Sequence, residues 1–361
     1  MSKEFRKDIR GRGASSNIAN RFLSTHFEAT EEDHDNYLLE EECSMLLTEI
    51  IKDTSRTIIT KNNSPDVCFD FSINCYRGCE HGCAYCYARP THEYLGYSAG
   101  LDFETKIHVK YEAPQLLREA LMKKSWEGQQ LFMSGVTDCY QPVERKLKLT
   151  RGCLEVLSEF KNPVAMITKN ALVTRDIDIL QEMAEWNGCI VFLSITTLDA
   201  DLARSLEPRT STPAAKLAAI AKLSAAGIPT GVNVAPVIPG LTDHEVPLIL
   251  NAAKGAGAQM AGLGMLRMPG AVLPVFQEWV QTHRPQRYDK IMSAVRDIRD
   301  GELNSSEFGD RMRGSGPRAE NIRNLFKLTT RKLGLNAMDI ELNSEHFKRP
   351  PQVGDQLAFD V

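Results

Sequence analysis

Val67-Cys68-Phe69-Asp70-Phe71-Ser72-Ile73 runs directly into Asn74-Cys75-Tyr76-Arg77-Gly78-Cys79-Glu80-His81-Gly82-Cys83-Ala84-Tyr85-Cys86-Tyr87. The first stretch is rich in β-branched and aromatic residues and predicts a strand; the second is a loop dense in thiols. Cys79, Cys83 and Cys86 form C-x3-C-x2-C, with an aromatic residue immediately before the last cysteine. Three thiolates from one loop can each bind one iron of a cubane cluster and leave the fourth iron open, whereas an electron-transfer cluster normally has four protein ligands. An open iron is what chemistry on a bound molecule requires. The alternative is a non-catalytic zinc-binding module that uses the Cys75–Cys86 loop, with Cys75 or His81 as fourth ligand. Zinc sites of that kind pair two short hooks across a longer spacer, and the chain carries no second hook.

Outward from the loop, the chain settles into a rhythm. Strand candidates are Val67–Ile73, Gln130–Val136, Val164–Thr168, Cys189–Ile195, Thr230–Ala235 and Gln259–Leu266. Between them lie helical patterns at about 113–123, 144–160, 174–186, 213–226 and 243–254. Strands alternating with helices of this length indicate βαβ units and a parallel sheet. Six such units suit an open doubly wound sheet or an incomplete (β/α) barrel, and in both the ligands sit beyond the carboxyl ends of the strands. We therefore expect a core at residues 66–270, an N-terminal extension at 1–65 and a mainly helical C-terminal region at 271–361. A basic block (residues 1–27) and an acidic stretch (Glu28–Glu42) fill most of the extension and read as solvated tails.

The whole chain has 361 residues, 43 basic and 47 acidic, for a net charge of −4, which excludes a global positive field. A local basic patch survives: residues 311–333 hold seven cations against Glu320 and, with the basic amino terminus, could grip a polyanion. No apolar run is long enough to span a membrane and the first residues lack a secretory core, so a cytoplasmic protein is expected. In that compartment clustered cysteines bind metal or do redox chemistry. Cys43, Cys68, Cys153 and Cys189 read as small buried hydrophobes. Gly96-Tyr97-Ser98-Ala99-Gly100 fits a hydrolase elbow, but no apolar strand precedes it, and no Walker loop or G-x-G-x-x-G occurs.

Together the motifs resemble a known family. C-x3-C-x2-C after the first strand of a partial barrel is similar to the radical S-adenosylmethionine (SAM) superfamily. Ala88-Arg89-Pro90-Thr91-His92, Thr137-Asp138-Cys139-Tyr140-Gln141-Pro142, Thr168-Lys169-Asn170, Leu206-Glu207-Pro208-Arg209 and Ala235-Pro236-Val237-Ile238-Pro239-Gly240 resemble its spore photoproduct lyase-like branch. The resemblance runs from about residue 5 to 335 and implies a partial (β/α)6 TIM-like barrel with terminal extensions. It implies a [4Fe–4S] cluster whose open iron binds SAM and, after one-electron reduction, yields a 5′-deoxyadenosyl radical that abstracts hydrogen from substrate.

Position by position, Cys79, Cys83 and Cys86 become the cluster ligands. Tyr85 joins the adenine pocket, Ser134-Gly135 hold the methionyl amino group, and Lys169 meets the SAM carboxylate. Ser194 and Thr196 face the ribose, and Asn233 and Ala235 lie near the adenine. The resemblance also implies a donor such as flavodoxin or ferredoxin, and nucleic acid is the leading substrate class. Cys75 and Cys139 stand where many relatives carry proline. Spore photoproduct lyase returns hydrogen through a thiol on its second strand, and Gln130–Val136 has none. Cys139 follows that strand by three residues and is expected at the barrel mouth as a hydrogen-atom donor, with Tyr140 as radical relay.

Overall fold

A computed structural model describes residues 9, 11–23, 46–67, 69–338 and 340–351. Cys43, Cys68 and the acidic stretch Glu28–Glu42 lie outside the described residues. The strands are β1 (Glu49–Lys52), β2 (Ile59–Lys61), β3 (Phe71–Ile73), β4 (Tyr76–Arg77), β5 (Lys106–Val109), β6 (Leu131–Met133), β7 (Val164–Thr168), β8 (Cys189–Ser194), β9 (Thr230–Val237) and β10 (Met260–Met265). Helices of seven or more described residues are α1 (Ala113–Met122), α2 (Leu149–Glu159), α3 (Ile177–Ala184), α4 (Ala200–Leu206), α5 (Pro213–Ala225), α6 (Val246–Gly255), α7 (Val272–His283), α8 (Tyr288–Arg296) and α9 (Gly316–Leu333).

The six expected strands are all present. They lie side by side in chain order, β3-β6-β7-β8-β9-β10, every pair parallel, with helices crossing over between them. This is the arrangement of a partial (β/α)6 barrel. Helices cover the outer face, and Val164, Met166, Val191, Leu193 and Val232, which share one face of the sheet by register, are all removed from solvent. Local chemistry sets the helix starts. Asp199 accepts hydrogen bonds from the backbone N–H groups of Asp201 and Leu202 to open α4, and Thr212 caps α5 just before Pro213.

Four short strands escape the sequence pattern. β2 adds antiparallel to β3 at the sheet edge, and β1, β5 and β4 form a small sheet of their own. β4 is only two residues long, yet it fixes the exit from β3, because Tyr76 and Arg77 pair with Val109 and His108 just before the thiol loop.

The basic N-terminal block is not a solvated tail where it is described. Gly13 lies so close to the thiol loop that a Cβ there would stand 1.7 Å from the Gly82 carbonyl oxygen. Gly82 itself has φ +65°, and a side chain there would meet Glu104. The N–H groups of Gly13 and Ala14 donate to the Glu104 carboxylate at 3.0 and 2.9 Å, and Arg12 reaches the Glu104 and Leu46 carbonyls, both at 2.7 Å. Glu104 and its ion-pair partner Arg89 are both fully buried.

A buried guanidinium is tolerable only when its donors are satisfied, and here all five are. Arg89 Nε and Nη2 donate to the Cys83 carbonyl, Nη1 donates to those of Ala99 and Gly100, and Nη2 also meets Glu104. Arg89→Met should therefore strand the Glu104 charge and cost about 3–5 kcal/mol in urea-induced unfolding of the metal-free protein. A loss below about 1 kcal/mol would show that the pair does not hold the loop.

Candidate functional site

The thiol loop hangs from several strand ends at once. Cys79 N–H donates to the Phe103 carbonyl at 2.9 Å, and the Glu80 N–H donates to the Gln141 side chain at 2.9 Å. Gln141 and Thr137, on the loop after β6, both donate to the Gly78 carbonyl. From the loop after β8, Leu206 accepts from Ala84 N–H and Arg209 N–H donates to the His81 carbonyl. Cys79 and Cys83 are buried, and Cys86 is half-buried. Burial, and then the neighbouring charges of Asp138, Cys86 and Cys83, push the Cys79 thiol well above its ordinary pKa. Burial and Glu207 do the same to Cys83. Three thiols that oppose one another's ionisation fit a polycationic guest, whose charge removes that penalty.

Beside the loop, the structure brings four of the expected SAM residues into one hydrogen-bonded patch. The Tyr85 hydroxyl lies 3.1 Å from that of Thr196, and Thr196 reaches the Ala235 carbonyl at 3.1 Å. Lys169 Nζ donates to the same Ala235 carbonyl at 3.0 Å and stands 5.5 Å from the Tyr85 ring centroid. Ser194 and Asn233 face each other in register on β8 and β9, immediately beneath. Ser134 takes a left-handed φ of +88° at the end of β6, and Gly135 offers its carbonyl to the Tyr87 hydroxyl at 2.8 Å.

The centre of this patch is a residue to which the sequence alone assigned no role. Glu207 is buried and accepts from Tyr85, from Thr196 at 2.7 Å and from Lys216 at 2.7 Å, with Lys169 at 3.3 Å. Burial alone would raise its carboxyl, but Lys169 and Lys216, with hydrogen bonds from Lys216 and Tyr85, hold it far below the ordinary carboxylate range. Burial likewise opposes the Lys169 charge, and Glu207, Cys83 and Asp138 more than restore it. Glu207 stood inside the quoted Leu206–Arg209 word, and that word was its one signal.

Cys139 and Tyr140 are both buried: the Cys139 N–H donates to the Ser134 hydroxyl at 2.9 Å, at the end of β6, and its side chain belongs to the main core. The Tyr140 side chain is fully buried and donates to Asp176 at 3.1 Å. The reason is local. Asp138 takes the mouth-facing position, accepting from Thr168 and from the Lys169 N–H at the end of β7 and facing His81, and the next two residues turn inward. Cys75 points away from the loop too, its sulfur 3.6 Å from that of Cys153.

A partial α/β barrel thus carries three thiols on the loop after β3 and β4, with a lysine–carboxylate patch beside them at the carboxyl ends of the strands. A sequence model of the radical SAM superfamily matches residues 73–253, half of the chain, and the chain belongs to that superfamily. An uncharacterized protein of Mycobacterium tuberculosis is 35% identical over 226 residues, which span 62% of this chain and 66% of the relative's length. An uncharacterized protein of Methanocaldococcus jannaschii is 29% identical over 197 residues, 55% of this chain and 71% of that one. Among solved structures, spore photoproduct lyase complexed with dinucleoside spore photoproduct matches with a TM-score of 0.57 and 17% identity, over 79% of this chain and 80% of the other. That likeness establishes a shared fold.

The depressed Glu207 pKa makes a prediction with a definite sign. The stabilisation from its ionised form is complete above its unfolded value near 4.5 and is lost as pH falls from there toward the folded value. Glu207→Gln should destabilise the protein in denaturant titrations at pH 7, and the gap to wild type should narrow steadily below about pH 4.5. A gap that is constant or widens on acidification would mean that Glu207 is not held ionised by the two lysines.

Proposed function

We propose that this chain is a radical SAM enzyme in which Cys79, Cys83 and Cys86 hold a [4Fe–4S] cluster and the Tyr85–Lys169–Thr196–Ala235 patch receives SAM. The single observation that carries the reading is the joining of the triple-thiol loop to that patch within one buried network at the carboxyl ends of the strands. When bound, the two cofactors supply one-electron cleavage of the SAM sulfonium and a 5′-deoxyadenosyl radical. The chain's own residues do the holding. Arg89 fixes the Cys83 carbonyl, and residues 13–14 lie over the loop and keep water from it. Glu207 keeps Lys169 charged and tethered at the mouth, where a ligand carboxylate can take over its ammonium. Ser134 and Gly135 present the strand end to the methionyl amino group.

The zinc alternative has less support. Among the described residues no three of His, Cys, Asp and Glu are grouped as ligands of a single ion. A cubane distributes its thiolates over separate irons and does not require them to converge. Among the described residues no helix is long and apolar enough to cross a membrane. An external one-electron donor such as flavodoxin or ferredoxin completes the proposed cycle.

Nucleic acid is the substrate class we favour, since the fold is shared with a lyase whose structure holds a dinucleoside photoproduct. Among the described residues of the basic terminal segments, Arg12 and Arg21 are committed to Glu104, Leu46 and Glu93. Helix α9 ends where Asn336 bonds Gln259 and Ala261, at the start of β10, so Lys327, Arg331 and Lys332 lie toward the face opposite the mouth.

Anaerobic reconstitution with iron and sulfide tests the ligand set. Alanine at Cys79, Cys83 or Cys86 should abolish loading, read as iron content and visible absorbance, because two thiolates cannot hold the cubane against solvent. Cys75→Ala should load as wild type does, since that thiol packs against Cys153. Failure of Cys75→Ala to load, or a colourless wild-type protein carrying stoichiometric zinc, would overturn the proposal.

A further inference from the structure

Arg267 follows β10 by two residues and so stands at the mouth end of the sheet. Its guanidinium lies 5.5 Å from the centroid of the Tyr87 ring. Tyr87 is the residue after Cys86, is 48% exposed, and donates to the Gly135 carbonyl. Arg267 thus spans the mouth from the last strand to the first two, beside the thiol loop.

The partners of Arg267 do not match its chemistry. Its half-buried side chain has a buried Nε with no hydrogen-bond partner, and Nη1 reaches only the Met312 sulfur, at 3.3 Å, a weak acceptor. The neighbouring cations are committed. Arg311 is paired with Asp66 and Ser64, and Arg299 donates to the carbonyls of Leu266, Asp310 and Arg311. Arg267 is therefore a partly desolvated cation beside Arg311 and the Asp66 carboxylate that Arg311 occupies, with no oxygen hydrogen-bonded to it among the described residues. Such an arrangement is costly unless a ligand supplies the missing acceptor. A planar guanidinium takes phosphate oxygens in pairs, and the open face of an adjacent aromatic ring accepts a base.

We propose that Arg267 and Tyr87 form a phosphate subsite at the barrel mouth, which takes a backbone phosphodiester of a nucleic-acid substrate while the Tyr87 ring packs against a neighbouring base. This rests on the reading above only in treating that face as the active one. The sequence pointed to cations at 311–333 for this purpose; the proposed phosphate contact, Arg267, lies outside that block, with Arg311 and Met312 of the block beside it.

The test is arginine modification of the full-length, reconstituted protein by phenylglyoxal, mapped by mass spectrometry. Four samples are compared: no ligand, thymidylyl-thymidine, thymidine and SAM. Arg267 should react in the free protein and be slowed by about tenfold by the dinucleotide, because a charge-assisted, bidentate contact occupies the fork. Thymidine and SAM should leave its reactivity unchanged. An unreactive Arg267, equal protection by thymidine, or no protection by the dinucleotide overturns the subsite. Protection by SAM overturns it as well, by assigning the cation to the cofactor's carboxylate. Cluster content and SAM cleavage are read on the same preparation, so failure of the radical reading is seen separately from failure of the subsite.

Discussion

The buried guanidinium of Arg89 is the interaction on which the rest of the site depends. A loop with three thiols, two glycines of positive φ and few apolar side chains has little tendency to hold one shape by itself. Arg89 binds the Cys83 carbonyl with two donors, the Ala99 and Gly100 carbonyls with two more, and Glu104 with the fifth. Glu104 in turn accepts the backbone of Gly13 and Ala14. One charge pair thus ties the thiol loop, the turn after it and the N-terminal segment into a unit. Pairs of this kind add little net stability over an apolar core, but they are expensive to break on one side, which suits a part whose geometry matters more than its stability.

A second charge group repeats the logic on the other side of the mouth. Glu207 sits between Lys169 and Lys216, and its hydrogen bonds from Tyr85 and Thr196 connect the ends of two elements that approach the proposed SAM patch. Two ammonium groups share one carboxylate there. A ligand carboxylate arriving at Lys169 therefore meets a cation whose charge is already secured, and no buried ion is left without a partner when it binds. In both groups the polar side chains arrive from distant positions, and the parallel sheet is what makes them meet at one rim.

The six central strands were legible because each is a short, largely apolar run set between helical stretches, and Val164–Thr168 was read to the residue. β1, β2, β4 and β5 were not, since they stand outside the strand–helix alternation and exist because a neighbour offers a ladder. The thiol ligands could be proposed from spacing alone, since one loop contains them. Arg89–Glu104 and Glu207–Lys216 could not, because a charge on a sequence looks the same whether it faces water or a partner across the fold. The N-terminal block illustrates the difference: six cations suggested a solvated tail, while Gly13 and Ala14 between them pack onto the loop. For Cys139, position after a strand predicts the rim, but burial depends on which residue captures the next strand's end, and Asp138 does so while Cys139 is buried behind it.

The most direct measurement of the central claim is the fate of SAM on the reconstituted, reduced protein under anaerobic conditions, followed by chromatography for 5′-deoxyadenosine and methionine. A barrel whose thiol loop and Lys169–Glu207 patch are parts of one radical site should release both products together, and only when an electron donor is present. Intact SAM after reduction of a fully loaded cluster would contradict it.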